Sequence, residues 1–221
     1  MIFNRAITVI SKKVGQLIEL VLLTILIDII LGVPPFFAFI DMFNVWFVLL
    51  SIILGGIISY LGYRYLATKT NAIFERINLK KIGFVIMMLC LTMFLMNLII
   101  PAIFGQNQDS SSNQKMIESM LHQGGIVALL FKLNVVIIGP IIEEIAFRGI
   151  IFEEARSLGR VVQFVWPTFV FAAVHCPSTP EQWTVYLTAG ALLMIVRLVT
   201  KKLQYSVIFH IIHNLRAIFS L

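Results

Sequence analysis

Charged residues are scarce in this sequence. Lys, Arg, Asp and Glu make up 13% of its 221 residues, whereas 59% are hydrophobic and the mean hydropathy is +0.96. Soluble domains carry about a quarter charged residues, so this composition excludes an ordinary soluble protein and predicts an integral membrane protein. Long linkers rich in Pro, Ser or charge are also lacking, which favours a single structural domain.

Cysteine is equally sparse. Cys90 and Cys176 both lie in apolar sequence, and two thiols cannot build the disulfide framework of a small secreted protein. The net charge of +6 comes from basic residues spread between the apolar segments. This distribution suits the anionic headgroups of membrane lipids and excludes the concentrated basic patch expected of a nucleic-acid partner.

Seven apolar stretches predict an all-α fold, a polytopic transmembrane helix bundle of about seven spans. They lie at residues 17–33, 43–63, 82–104, 126–157, 161–175, 183–199 and 203–221. The second and third reach the roughly 20 residues that a helix needs to cross a bilayer. Pro34 with Pro35 predicts a break after the first span, and Pro177 with Pro180 predicts one after the fifth.

Basic residues mark every second loop. They are Arg5, Lys12 and Lys13, then Arg64, Lys69, Arg76, Lys80 and Lys81, then Arg156 and Arg160, then Arg197, Lys201 and Lys202. The intervening loops hold Asp41, then Asp109, Lys115 and Glu118, then Glu181. The positive-inside rule therefore predicts a multi-pass protein of the cell membrane with a cytoplasmic amino terminus.

The stretch GPIIEEIAFR at residues 139–148 places three ionisable side chains in apolar sequence. A central charge costs roughly 2.5 to 3.5 kcal/mol on insertion scales, and such residues usually face a cavity or a partner. Glu144 precedes Arg148 by four residues, the favourable order for a helical ion pair. Glu143 points about 100° away from Glu144. We therefore expect Arg148 to neutralise and orient Glu144, leaving Glu143 free for chemistry.

Counting residues along the predicted helices places two histidines near the depth of Glu143. Glu143 precedes Gly159 by 16 residues and His175 follows it by 16. In a continuous helical hairpin both would stand roughly 24 Å from the turn, and so meet at one depth. His210 and Asn214 are four residues apart, so they share one face of the seventh span and reach towards the same layer. A kink is expected at residues 139–140, where Gly precedes Pro.

Three segments resemble the motifs of a known family. EEIAFR at 143–148, FAAVH at 171–175 and HIIHN at 210–214 resemble EExxxR, FxxxH and HxxxN of the CPBP intramembrane proteases. That family groups type II CAAX-processing endopeptidases with bacteriocin-processing and bacteriocin self-immunity (Abi) proteins. The resemblance divides the chain into amino-terminal transmembrane helices, residues 1–125, and a CPBP-like catalytic bundle, residues 126–221, within one structural domain.

The resemblance implies a role for each motif residue. It assigns water activation to Glu143 and His175, oxyanion binding to His210 and Asn214, and a supporting role to Glu144 and Arg148. A carboxylate taking a proton from water, with an imidazole and an amide donating to the oxyanion, is compatible with this set. The predicted function is a glutamate-dependent intramembrane endopeptidase that hydrolyses peptide bonds of membrane-associated peptides or proteins, in peptide or bacteriocin maturation or in self-immunity.

Other interpretations remain open. The charged residues could be structural contacts between helices, and the protein could give bacteriocin immunity or act as a membrane scaffold without proteolysis. A transporter with a carboxylate proton relay is a third class. Cys176 beside His175 could be a nucleophile or a buried packing residue. No cofactor is expected, with zinc on Glu143, His175 and His210 as the alternative. The expected partners are membrane lipids and a membrane-associated peptide or protein substrate.

Overall fold

The computed structural model describes residues 2–40, 44–105, 112–122 and 124–219, which are almost entirely helical. The helices are α1 (Ile2–Ile40), α2 (Val45–Lys69), α3 (Leu79–Phe104), α4 (Ser112–Leu121), α5 (Gly125–Leu158), α6 (Arg160–Ala173), α7 (Pro180–Thr200) and α8 (Leu203–Phe219). None of the described residues lies in a strand. The predicted all-α fold is confirmed.

Five helices are long and apolar enough to cross a membrane. They are Ser11–Gly32 within α1, and α2, α3, α5 and α7, while α6 is a shorter apolar helix. With α8 they match the seven predicted stretches, so the chain is a polytopic helix bundle and a multi-pass membrane protein. The orientation of the amino terminus and the division at residue 125 stay predictions. Asp41 and Asp109, which contribute to the predicted orientation, lie outside the described residues.

Only one of the two proline pairs marks a helix boundary. Helix α6 ends at Ala173 and α7 begins at Pro180, as predicted for the second pair. Helix α1 runs through Pro34 and Pro35, so the predicted break after the first span is wrong. Each proline removes one backbone donor, but transmembrane helices tolerate proline because neighbouring groups and local adjustments satisfy the freed carbonyls.

Helix α5 departs twice from α-helical geometry. Residues Asn134–Ile138 and Glu144–Ile151 form π-helical turns. A 3₁₀ turn, Ala155–Leu158, closes the helix before Gly159. Gly159 has a φ of 107°, a conformation that glycine adopts without steric cost, and α6 begins directly after it. The predicted hairpin turn is therefore correct, although the helix leading to it is not regular.

Helix α2 packs closely against α5. A Cβ added at Gly55 would stand 2.6 Å from Ile138 Cγ2 and 3.0 Å from Ile142 Cδ1. Seven residues later, a Cβ at Gly62 would stand 2.8 Å from Ile145 Cγ2. Small residues on one helix face let two membrane helices approach closely. Helix α2 therefore supports the part of α5 that carries the two glutamates.

An aromatic core fills the space behind the charged residues. Phe147, Phe171, Tyr205 and Phe209 are buried in one cluster with residues of α1, α3 and α7. The rings of Phe147 and Phe171 meet edge to face at 5.7 Å between centroids, a favoured aromatic geometry. The motif residue Phe171 is thus a packing residue that joins α6 to α5.

The loop at residues 70–78 is fixed to the start of α8. The Leu203 backbone nitrogen donates to Ala72 O at 3.0 Å, and that of Gln204 donates to Ile73 O at 3.1 Å. These two bonds add a short stretch of paired backbone between the loop and the helix. They set the position of α8, the helix that carries the third motif.

Side chains strengthen the same junction. The Tyr205 hydroxyl donates to the Glu75 carboxylate at 2.9 Å, and Lys81 Nζ donates to it at 2.7 Å. The hydrogen bond from Lys81 lowers the pKa of Glu75 below its ordinary value. The stabilisation from this depressed pKa is present at neutral pH and is lost as the pH falls through the folded-state pKa.

Replacing Gly55 with Val should destabilise the bundle, because the new side chain would overlap Ile138 and Ile142. Overpacking of this kind costs roughly 1 to 3 kcal/mol. The measurement is the thermal unfolding midpoint of the detergent-solubilised protein. Gly56→Val is the matched control, since it makes the same change in helix propensity where nothing lies within 4 Å of the added Cβ. Equal midpoints for the two variants would contradict the close packing.

Candidate active site

A buried ion pair forms the centre of the candidate site. Arg148 Nη1 lies 3.2 Å from Glu144 Oε1, and both side chains are 0% exposed. Arg148 Nη2 donates to Gly190 O of α7 at 2.9 Å, and the guanidinium carbon lies 4.3 Å from the ring centroid of Phe171. The predicted pair is confirmed, and its arginine also joins α5 to α6 and α7.

His210 completes the surroundings of Glu144. Its Nδ1 lies 3.0 Å from Glu144 Oε1. An ionised carboxylate only accepts hydrogen bonds, so this contact places a proton on Nδ1. The same carboxylate oxygen therefore receives one donor from Arg148 and one from His210, and Glu144 is committed to structural contacts.

Glu143 differs from Glu144 in its exposure and in its distance from His210, although Glu144 Oε2, like Glu143 Oε2, has no hydrogen-bond partner among the described residues. The Glu143 side chain is 26% exposed, and its Oε2 lies 3.9 Å from His210 Nε2, beyond hydrogen-bond distance. This oxygen is buried and accepts no hydrogen bond from any residue that the structure describes. The predicted distinction between the two carboxylates is present in the geometry, and the chemical role of Glu143 stays a prediction.

His175 lies close to both Glu143 and His210, near enough for electrostatic interaction with each. Its Nδ1 is 2.7 Å from Phe171 O. A carbonyl oxygen can only accept, so Nδ1 carries the proton and Nε2 keeps a lone pair. The imidazole is stacked on Tyr186, with 4.5 Å between ring centroids. These contacts fix both the tautomer and the ring orientation.

The count predicts that His175 and Glu143 lie at one depth, and the two side chains do interact, but the helix leading to His175 is not continuous. Among the described residues, the histidine at ion-pair range of Glu143 is His210. The count assumed a continuous helix to residue 175, but α6 ends at Ala173 and His175 lies in the following turn. The π-helical turns of α5 also change the spacing on the other side of the hairpin. His175 reaches the site from a turn and not from a helix face.

Asn214 binds the backbone at the first π-helical turn of α5. Its Nδ2 donates to Val135 O at 3.0 Å. The nitrogen of Gly139 donates to Asn134 O, and Pro140 has no N–H, so neither serves Val135 O. The distortion expected at residues 139–140 thus exposes a carbonyl that Asn214 satisfies. The amide nitrogen has a second hydrogen, which leaves one donor for another acceptor.

Comparison with known proteins agrees with the three motifs. A family model described as "Type II CAAX prenyl endopeptidase Rce1-like" matches residues 125–216, a range that contains all three. The predicted resemblance to the CPBP proteases is confirmed over these residues. The membrane-embedded CAAX protease MroQ of Staphylococcus aureus (strain USA300) is 29% identical over 143 residues, which cover 60% of this chain and 53% of that protein. The chain thus spans about half the length of this relative. No solved structure matches it.

Two residues beside the CPBP motifs were missed by sequence reasoning. Arg197 was counted among the loop charges, but it is 4% exposed within α7. Its Nε donates to Arg148 O at 3.2 Å, and its Nη2 lies 3.4 Å from Glu153 Oε1. The signal was available, since opposite charges at 153 and 197 both interrupt apolar sequence. Tyr186, which stacks on His175, had no such signal.

The structure also bears on two alternatives from the sequence, the role of Cys176 and a metal site. Cys176 is exposed, and its Sγ lies 3.8 Å from Val174 O, so the expected buried packing role is wrong. Its φ of 50° turns the chain out of the preceding helix. Within the described ranges, no group of three or more His, Cys, Asp or Glu side chains is arranged to hold a metal ion.

Replacing Arg197 with Gln should loosen the second π-helical turn, because Arg148 O loses its donor and Glu153 loses a buried cation. Arg156 remains 2.6 Å from Glu153 and still pairs with it. We therefore expect the free energy of unfolding to fall by roughly 3 kcal/mol, the lower end of the cost of breaking a buried ion pair. The measurement is the unfolding midpoint in detergent. Lys201→Gln, at an exposed cation just beyond α7, is the control. A midpoint for Arg197→Gln equal to that control would contradict the assignment.

Proposed function

We propose that this protein is an intramembrane endopeptidase in which Glu143 activates a water molecule. The observation that carries the proposal is the contrast between two adjacent carboxylates. Among the described residues the Oε2 atoms of both carboxylates have no hydrogen-bond partner, but Glu144 Oε1 accepts from Arg148 and His210. Glu143 is 26% exposed and only faces His210 across 3.9 Å. A carboxylate without a cation of its own is the better proton acceptor.

In the proposed reaction, water binds beside Glu143 Oε2 and within reach of His175. Glu143 takes a proton from the water, and the resulting hydroxide attacks the scissile carbonyl carbon. His175 assists through the lone pair on Nε2, which is the unprotonated nitrogen of the neutral ring because Nδ1 donates to Phe171 O. Collapse of the tetrahedral intermediate breaks the C–N bond, and the proton held by Glu143 passes to the leaving amine. No covalent intermediate is required.

The oxyanion is proposed to bind between His210 and Asn214. His210 Nδ1 donates to Glu144 Oε1, which leaves Nε2 facing the reaction space. When the ring carries a proton on both nitrogens, Nε2–H donates to the oxyanion. The second hydrogen of Asn214 Nδ2 is the other donor. The reaction needs no metal ion in this form.

The proposed substrate is a peptide or protein associated with the membrane. Glu143 and His175 lie in a membrane-spanning bundle. The scissile bond must therefore lie within the bilayer or enter it from the membrane surface. The relative named above is called a CAAX protease, and the family model carries the words CAAX prenyl endopeptidase. Both CAAX processing and maturation of a bacteriocin or other peptide fit a site of this kind, in a cell membrane with the amino terminus in the cytoplasm.

Replacing Glu143 with Ala should lower peptide-bond cleavage by at least about 10² to 10⁴-fold, the usual contribution of a general base. The measurement compares membrane peptides in cells that carry the wild-type or variant protein, using mass spectrometry. Peptides that accumulate with Glu143→Ala and disappear with the wild type are substrates. They then serve to assay the purified protein with and without a strong chelator, and activity should persist in its presence.

Glu19→Ala is the control, because Glu19 is an exposed carboxylate on α1, far along the chain from the motifs. Wild-type cleavage by Glu143→Ala would overturn the proposed role. The competing contact model, in which the protein gives immunity or acts as a scaffold without hydrolysis, makes a different prediction. It would be supported if a Glu143→Ala copy fully restored the phenotype of a deletion strain.

A further inference from the structure

An apolar groove lies between α2, the loop at residues 70–78, α5 and α8. It encloses about 360 Å³ and is lined by Tyr63, Leu66, Ile73, Ile145, Leu203 and Val207, among others. Tyr60 and Phe74, at 56% and 62% exposed, form its open edge. We call this feature the α2–α8 groove. Its walls are hydrocarbon and aromatic, and it opens on the outside of the bundle.

Two cations lie at the loop end of this groove. Helix α2 ends at the loop and α8 begins at it, so Arg64, one turn beyond Tyr60, and Lys202, directly before Leu203, both stand at that end. The backbone bond from Leu203 to Ala72 O holds the two helices together there. The groove therefore has a charged end and a long apolar wall.

The charges of these cations are not neutralised by a carboxylate. Arg64 Nη1 donates to the Tyr60 hydroxyl at 2.9 Å, and Lys202 Nζ donates to Asn71 O at 2.7 Å. Both acceptors are neutral, and no ion pair involves either cation among the residues described. Glu75 interacts electrostatically with Lys202, but its carboxylate is paired with Lys81 at 2.7 Å. Two positive charges thus remain beside an apolar groove.

We propose that the α2–α8 groove binds an anionic phospholipid, with an acyl chain along the groove and the phosphate between Arg64 and Lys202. Basic pockets between transmembrane helices attract anionic headgroups, and the groove volume falls within the usual range for small-molecule sites. An acyl chain needs no hydrogen-bond partners from the walls. A peptide backbone would need a row of them, whereas the walls offer only isolated polar groups. The Gln204 amide oxygen accepts from the Glu75 nitrogen at 2.8 Å, and Gln204 Nε2 is a single donor with no hydrogen-bond partner among the described residues.

The proposed lipid would contact the helix that carries the carboxylates. Ile145 lines the groove and directly follows Glu144 in α5. The proposal rests on the groove and its two cations and does not require the catalytic role of Glu143. Lipid binding can therefore be measured without any cleavage assay.

The test uses the full-length protein in detergent and two added lipids, phosphatidylglycerol and phosphatidylcholine with identical acyl chains. Native mass spectrometry gives an apparent dissociation constant for each. We expect the wild type to prefer phosphatidylglycerol, by roughly fivefold for each contributing cation. The variant Arg64→Gln/Lys202→Gln should lose this preference. Arg64 directly follows Tyr63 and Lys202 directly precedes Leu203, and both of these neighbours line the groove. The control Arg76→Gln/Lys80→Gln removes two cations of the same basic region whose chain neighbours do not line it, and this variant should keep the preference.

A second variant tests the apolar wall. Ser59→Leu adds bulk to the groove without changing its charge. It should therefore raise the apparent dissociation constant of both lipids several-fold. Equal binding of the two lipids by the wild type would overturn the proposal, as would a preference retained by Arg64→Gln/Lys202→Gln. If Ser59→Leu bound both lipids normally and instead raised the KM for a peptide substrate, the groove would hold peptide and the lipid proposal would be wrong. Arg64→Gln alone, at an exposed position, keeps the headgroup test available if the double variant does not fold.

Discussion

The buried ion pair between Glu144 and Arg148 is the interaction on which the site depends. Two unpaired charges inside an apolar bundle would each carry a large desolvation cost, so the pair persists only because its geometry and further hydrogen bonds compensate. Arg148 of α5 donates to Gly190 O of α7 and lies against the ring of Phe171 on α6. Glu144 accepts a hydrogen bond from His210 of α8. Four helices thus converge on one neutralised pair, and Glu143 is left beside it without a cation.

A second constraint is the irregular hydrogen bonding of α5. Both of its π-helical turns leave a carbonyl to be served from a neighbouring helix, Val135 O by Asn214 and Arg148 O by Arg197. Exposed backbone groups are costly in an apolar bundle, and such turns are frequent at functional sites. The polar side chains that face α5 therefore hold the distortion in place, which in turn sets the directions of the two glutamates.

Local spacing made part of this arrangement predictable. The apolar stretches located the helices, and the interval of four residues between Glu144 and Arg148 predicted their pairing. The contacts of His210 with both glutamates, the binding of Val135 O by Asn214 and the stacking of Tyr186 were beyond prediction, because they depend on helix packing and on a π-helical register that spacing does not reveal. The count brought His175 towards Glu143, but it did not reveal that α6 ends two residues before His175.

The central claim is that two adjacent glutamates have different tasks, one structural and one chemical. The most direct measurement is the unfolding midpoint of Glu144→Gln compared with that of Glu143→Gln, two changes of the same size at neighbouring positions. Glu144→Gln leaves Arg148 as an uncompensated buried charge and should cost roughly 3 to 5 kcal/mol, whereas Glu143→Gln should change stability by less than about 1 kcal/mol. Equal midpoints for the two variants, or a lower midpoint for Glu143→Gln, would contradict the account.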